Sequence, residues 1–191
     1  YFCDLCYNQD SPVMENGFSK GSVWKIWDLH VHSPASYNGD YDVFISNATK
    51  SNVDVLGIND YCSIQGYDEI IKRGGIKNKV LFPVVELRMH NILSSRKNSG
   101  GTKINFHIIF DNDPAIYKTI QTWIASLRCY NERGENVLLG AIGDVRRASF
   151  DFDNVVESLR QINLFYTHAL IWLPYDEYGG IDEIHPESDG C

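Results

Sequence analysis

From Val23 onward, short apolar runs of strand character alternate with helix-patterned segments, and this alternation restricts the possible folds more than any other feature. Val23–His32 is rich in aromatic and β-branched residues, Val53–Ile58 is a continuous apolar run, and Val80–Met89, Lys103–Phe110 and Leu164–Leu173 repeat the type. Between them, Tyr41–Ser51 places Val43, Phe44, Asn47 and Ala48 at helical spacing, and Gly66–Arg73 carries Ile70 and Ile71. Asp113 reads as a cap before Pro114, opening a helix whose Ile116, Ile120, Trp123, Ile124 and Leu127 form one stripe. Asp151–Ile162 lines up Val155, Val156, Leu159 and Ile162, whereas Val137–Ile142 is a weaker segment. Strands separated by helices predict parallel βαβ units, with chemistry at the carboxyl ends of the strands. The polar stretch Asn91–Thr102 reads as a loop or flexible hairpin within the domain.

The 191 residues suffice for one domain with a buried core. With 43% apolar and 22% charged residues, disorder, collagen and coiled coil are excluded. A net charge of −8 argues against a general nucleic-acid-coating surface. No apolar run approaches the roughly 20 residues of a bilayer span, so the expectation is a soluble, cytoplasmic protein without membrane partners. The five cysteines are odd in number and irregularly spaced, which favours free thiols; Cys3-x-x-Cys6 has the spacing of half a zinc knuckle but lacks a second half. Met14 precedes the patterned region, and residues 1–20 are read as a leader or upstream segment, with 21–191 as the domain. Trp24, Trp27, Trp123 and Trp172 sit in apolar patterns and are expected in the core or between layers, and Cys62 as a buried thiol.

Ligand-type residues end several of the expected strands. Asp28, His30 and His32 occupy alternate positions, so a regular strand would direct all three to one face, where they can converge on a cation. Val55–Ile58 leads to Asn59-Asp60-Tyr61, Phe82–Val85 to Glu86 and then Arg88, Ile104–Phe106 to His107, and Phe165–Thr167 to His168. Imidazoles and carboxylates without clustered thiolates suit zinc, manganese or iron, and their number allows more than one ion.

These residues also carry a family resemblance. Asp28-Leu29-His30-Val31-His32-Ser33-Pro34 resembles the first motif of PHP domains, the polymerase and histidinol phosphatase superfamily of metal-dependent phosphoesterases. Gly57-Ile58-Asn59-Asp60-Tyr61, Pro83-Val84-Val85-Glu86 and Asn105-Phe106-His107 follow in the order of its later motifs, and Gly21–Asp111 is most similar to the PHP region preceding the ATPase of TrlF-type proteins. The resemblance implies a distorted (β/α)7 TIM-like barrel binding two or three divalent ions. It makes His30, His32, His107 and His168 metal ligands and Glu86 a bridging ligand. Two departures stand out: Tyr61 replaces the usual histidine of the second motif, and no late Asp-x-His follows His168, since Ile184-His185-Pro186 has the wrong spacing. The barrel is therefore expected to be C-terminally incomplete, with an ATPase region attached in the natural polypeptide.

Three functions follow from these readings. The first is hydrolysis of a phosphoester in a nucleotide, nucleic acid or small metabolite, with Asp60 and Asp28 as catalytic carboxylates and Arg88, Asn38 and Tyr61 as substrate contacts. The second is a catalytically weakened PHP module that docks or regulates the ATPase, favoured by Tyr61. The third is an amidohydrolase, which shares His-x-His on its first strand but calls for a strand-end lysine that does not stand out.

Overall fold

The computed structural model describes residues 24–91 and 103–173. The chain runs β1 (Trp27–His32), α1 (Pro34–Tyr37), α2 (Tyr41–Lys50), β2 (Val55–Tyr61), α3 (Gln65–Lys72), β3 (Val80–Arg88) and β4 (Asn105–Phe110). It continues through α4 (Pro114–Ser126), β5 (Arg128–Tyr130), β6 (Asn136–Leu138), α5 (Phe152–Gln161) and β7 (Ala169–Trp172), with 3-10 turns at Leu139–Ala141 and Val145–Arg147. Helix starts are capped locally. Ser33 accepts from Ala35 N with Pro34 in the first turn, Asp40 accepts from the amides of Asp42 and Val43, Asp113 from Ala115 N and Asp151 from Asn154 N.

The expected barrel is not what forms. The main sheet is open, with five strands in the order β1-β2-β3-β4-β7, and β5 pairs separately with β6. β1, β2 and β3 are parallel, but β4 runs antiparallel to β3 and β7 antiparallel to β4, so the sheet is mixed. The reason lies between Arg88 and Asn105. A parallel neighbour requires a long crossover, usually a helix, and this segment has the composition of a polar turn, so the chain returns beside β3 in the opposite direction. β1 and β7 remain as edges, and no strand among the described residues closes the sheet.

Helices α2 to α5 pack on one face of the sheet. Leu56, Ile58 and Leu81 pack with Tyr67 and Ile70 of α3 and with Phe44 and Ile45 of α2. Val85, Leu87, Phe106, Ile108 and Phe110 pack with Ile116, Ile120 and Trp123 of α4 and with Val155 and Leu159 of α5. The sequence stripe on α4 is thus the buried stripe; each such aliphatic side chain contributes about 1.5–3 kcal/mol by leaving water. The alternate residues Val55, Phe82, Val84 and Ile109, with Leu29 and Trp172, form a separate apolar cluster on the other face. Trp123 is buried as expected, but Trp24 is 96% exposed and Trp27, stacked on Phe82, is 46% exposed, which corrects their assignment to the core. Residues 1–23, including Cys3 and Cys6, lie outside the described residues, as do 92–102 and 174–191 with His185. Among the described residues no helix is long and apolar enough to cross a membrane.

Candidate metal centre

Glu86 lies near the carboxyl end of β3, 3% exposed, on the sheet face opposite the helices. Its Oε2 is 3.2 Å from His32 Nε2, 3.5 Å from His30 Nε2 and 3.6 Å from His107 Nε2. The His30 and His107 rings meet edge to face at 4.6 Å, and Trp172 packs against both. Ligand atoms of His30, His32 and Glu86 lie within 4.8 Å of one another, and together they could hold a metal ion. The donor chemistry fits such an ion: His107 is fully buried with both ring nitrogens lacking a hydrogen bond, and His32 Nδ1 is likewise buried without one. Burial alone would raise the Glu86 carboxyl. The His107, His30 and His32 imidazoles that face it outweigh burial and hold the group far below the usual carboxylate range.

The two amides beside Glu86 carry no role in the sequence reading. Asn59 Nδ2 donates to Glu86 Oε2 at 2.7 Å and Asn105 Nδ2 donates to Oε1 at 2.8 Å, while Arg88 Nε donates to Asn105 Oδ1 at 3.1 Å. These neighbours fix the carboxylate from both sides, as outer partners of a metal ligand do. The available signal was periodicity: Asn59 aligns with Val84, and Asn105 with Arg88, on the same strand face as Glu86.

A β-bulge shapes the first motif. Asp28 is opposite Leu56 and Val31 opposite Ile58, so three steps on β1 match two on β2. The interruption breaks strict alternation. Asp28 shares the face of Leu56, while His32, opposite Asn59, shares that of Glu86. Asp28 is exposed and accepts from His30 N at 3.2 Å; it supports the bulge and does not join the cluster. Gly57 makes room for it, because a Cβ there would sit 2.5 Å from Leu29 O.

Asp60 is also placed away from the cluster. Its Oδ1 accepts from Ser33 Oγ at 2.6 Å and Ser36 Oγ at 2.7 Å, and its Oδ2 from Gly66 N at 2.9 Å. Burial raises its pKa against the lowering effect of those donors. Asp60 thus ties the turn after His32 to the start of α3. A Cβ at Gly66 would fall 1.8 Å from Ser33 Oγ, so that approach requires glycine.

The remaining candidates divide. Tyr61 lies against the His32 ring at 4.8 Å and lines a shallow cleft with Glu86, Arg88 and Asn105. Burial and the Glu86 charge raise its phenol, which disfavours the phenolate form that a metal would need. Asn38 is exposed and ends α1 in the left-handed conformation, its N–H bonded to Pro34 O, which also accepts from Gly39 N at 3.1 Å. His168 precedes β7 at the opposite end of the antiparallel pair, four positions from the residue facing His107, and its Nδ1 is 3.4 Å from Asp111 Oδ2. It is therefore not part of the cluster. β7, antiparallel to β4, runs in the same direction as the strands that present His30, His32 and Glu86, so its first residues lie at the amino ends of those strands, away from the carboxyl ends that carry the cluster.

No protein-family model matches the chain, and a search of curated proteins finds no match.

Proposed function

We propose that the chain is a metal-dependent phosphoesterase of the PHP kind, built on an open mixed sheet. The observation supporting this most directly is the convergence of three imidazoles on one buried carboxylate, with both His107 ring nitrogens and His32 Nδ1 left without hydrogen bonds among the described residues. His30, His32, Glu86 and His107 would hold divalent ions such as zinc, manganese or iron. When bound, such ions lower the pKa of a water nucleophile and stabilise charge on phosphoryl oxygens. Asn59 and Asn105 keep Glu86 oriented, and Arg88, bonded to Asn105, would contact a phosphate. The substrate is a phosphoester of a nucleotide, nucleic acid or small metabolite, and an attached ATPase remains the proposed partner.

Tyr61 supports a second reading, a PHP module with weakened catalysis that docks or regulates that ATPase. Its raised phenol replaces an imidazole donor in the family pattern. Metal analysis combined with hydrolysis of a chromogenic phosphodiester separates the two readings. Metal-stimulated turnover that falls at least about 100-fold in His30→Ala/His32→Ala supports the enzyme. Metal retention without turnover under any divalent ion supports the module, and full activity in the double variant removes the proposed site.

A further inference from the structure

The β3–β4 ladder extends beyond the metal cluster. Glu86 is opposite His107 and Arg88 opposite Asn105, and the 2.8 Å bond from Met89 N to Ile104 O carries the same register one step on. His90 and Lys103 come next, and their side chains meet at one hydroxyl: His90 Nδ1 is 3.0 Å from Ser149 Oγ, and Lys103 Nζ donates to the same oxygen at 3.2 Å. Alternate residues share a face, so Arg88 and Lys103 follow Glu86 and His107 along the metal-bearing side.

Neither cation has a carboxylate partner among the described residues. Arg88 is held by the Asn105 amide oxygen and Lys103 by the Ser149 hydroxyl, both neutral acceptors. Elsewhere Arg73, Arg146, Arg147 and Arg160 each have a carboxylate within 3.7 Å. Burial lowers the Lys103 ammonium, and the Arg88 charge lowers it further. Both cations are partly buried, and among the described residues neither has a carboxylate partner although the chain's net charge is −8.

The support beneath them is rigid. Ser149 is 3% exposed and exchanges backbone bonds with Tyr130 at 2.7 and 3.1 Å. Phe150 N donates to Arg88 O at 2.8 Å, His90 N donates to Phe150 O at 2.7 Å, and the His90 ring stacks on Tyr130 at 3.7 Å. The hydroxyl that receives Lys103 is thus fixed to the end of β3. Such fixed positive groups are suited to an arriving anion: the Lys103 head is already oriented, and Arg88 bonds to Asn105 through Nε alone, leaving its terminal nitrogens as donors.

We infer that Arg88 and Lys103 form an anion subsite for a second phosphate-class group of the substrate, beginning two residues beyond Glu86 along the ladder. This assignment to substrate rests on the phosphoesterase reading. Two residues along a strand span about 7 Å, so the second anion is separated from the scissile group by several bonds. Substrates carrying two separated anionic groups are therefore preferred over simple phosphomonoesters.

Calorimetric titration of the 191-residue chain with inorganic phosphate, in the presence of a chelator, tests the subsite without metal or turnover. Saturable binding is expected, weakened at least about tenfold by Arg88→Gln and by Lys103→Met and unchanged in Arg147→Ala. Circular dichroism verifies that each variant is folded. His30→Ala/His32→Ala should bind phosphate like the parent, so loss of hydrolysis in that variant bears on the metal site alone. No saturable binding by the parent, or equal binding by the Arg88→Gln and Lys103→Met variants, overturns the subsite. Binding that holds in a chain devoid of phosphoesterase activity keeps the anion site and removes its assignment to substrate.

Discussion

Asp60 and Glu86 are buried carboxylates on neighbouring strands, 2% and 3% exposed, yet they face opposite sides of the sheet and opposite chemistries. Asp60, on the helix side, receives two hydroxyls and an amide, which meet its hydrogen-bonding needs without any additional ion. Glu86 faces three imidazoles, and among the described residues the buried His107 ring nitrogens and His32 Nδ1 have no hydrogen bond, an arrangement that gains from a cation at its centre. Burial and residue type do not separate a structural carboxylate from a ligand. The atoms opposite the oxygens do.

Exchanging the two losses tests that comparison most strongly. Glu86→Ala should reduce metal affinity at least about 100-fold, whereas Asp60→Ala should mainly destabilise the fold, by about 3 kcal/mol, because three buried donors lose their acceptor. Metal titration and urea unfolding of both variants measure the contrast; if Asp60→Ala stays fully stable and loses metal, the assigned roles are reversed.

A smaller effect is expected from the residues supporting each side. Asn105→Leu removes one donor from Glu86 and should weaken metal binding about 10–100-fold while the helix-side core stays intact. Gly57→Ala should affect the metal side as well, because its Cβ would press on Leu29 O and disturb the bulge that turns His30 and His32 toward Glu86. Equal metal affinity in both variants would show that neither the amide nor the bulge sets the site.

Acidification distinguishes the carboxylates by sign. The Glu86 pKa is depressed in the fold, so its contribution is present above the ordinary carboxylate value of about 4.3 and is lost as pH falls below it. The Asp60 pKa is raised, so its contribution is full below about 3.9 and is lost as pH rises through the folded value. In metal-free chain, Glu86→Gln should therefore flatten the acid side of a stability–pH curve. A steeper acid side would contradict the sign.

Much of the local structure was legible because its physics is local. The caps at Asp113 and Asp151 and the stripe on α4 are read within one turn of chain, and the structure places them as expected. The direction of β4 was not, since it depends on how the chain joins Arg88 to Asn105, and the expected barrel failed with it. At the site, His30, His32, Glu86 and His107 were recognisable by type and by position at strand ends. Asp28 misled because a bulge inverts alternation and leaves no composition signal; His168 misled because it precedes β7 and so lies at the start of a strand and not at its carboxyl end. Asp60 misled because two of the donors that satisfy it, Ser33 and Ser36, are distant in sequence from its own strand, and the third, Gly66, meets it only once α3 has folded back.

Titration of the chain with Zn2+ under chelator competition, comparing the parent with His107→Ala and His168→Ala, tests the composition of the metal centre most directly. The expected result is tight binding by the parent, a loss of at least about tenfold in His107→Ala and no change in His168→Ala, whose imidazole faces Asp111. Equal affinity in all three chains, or a loss confined to His168→Ala, would contradict a centre built on Glu86.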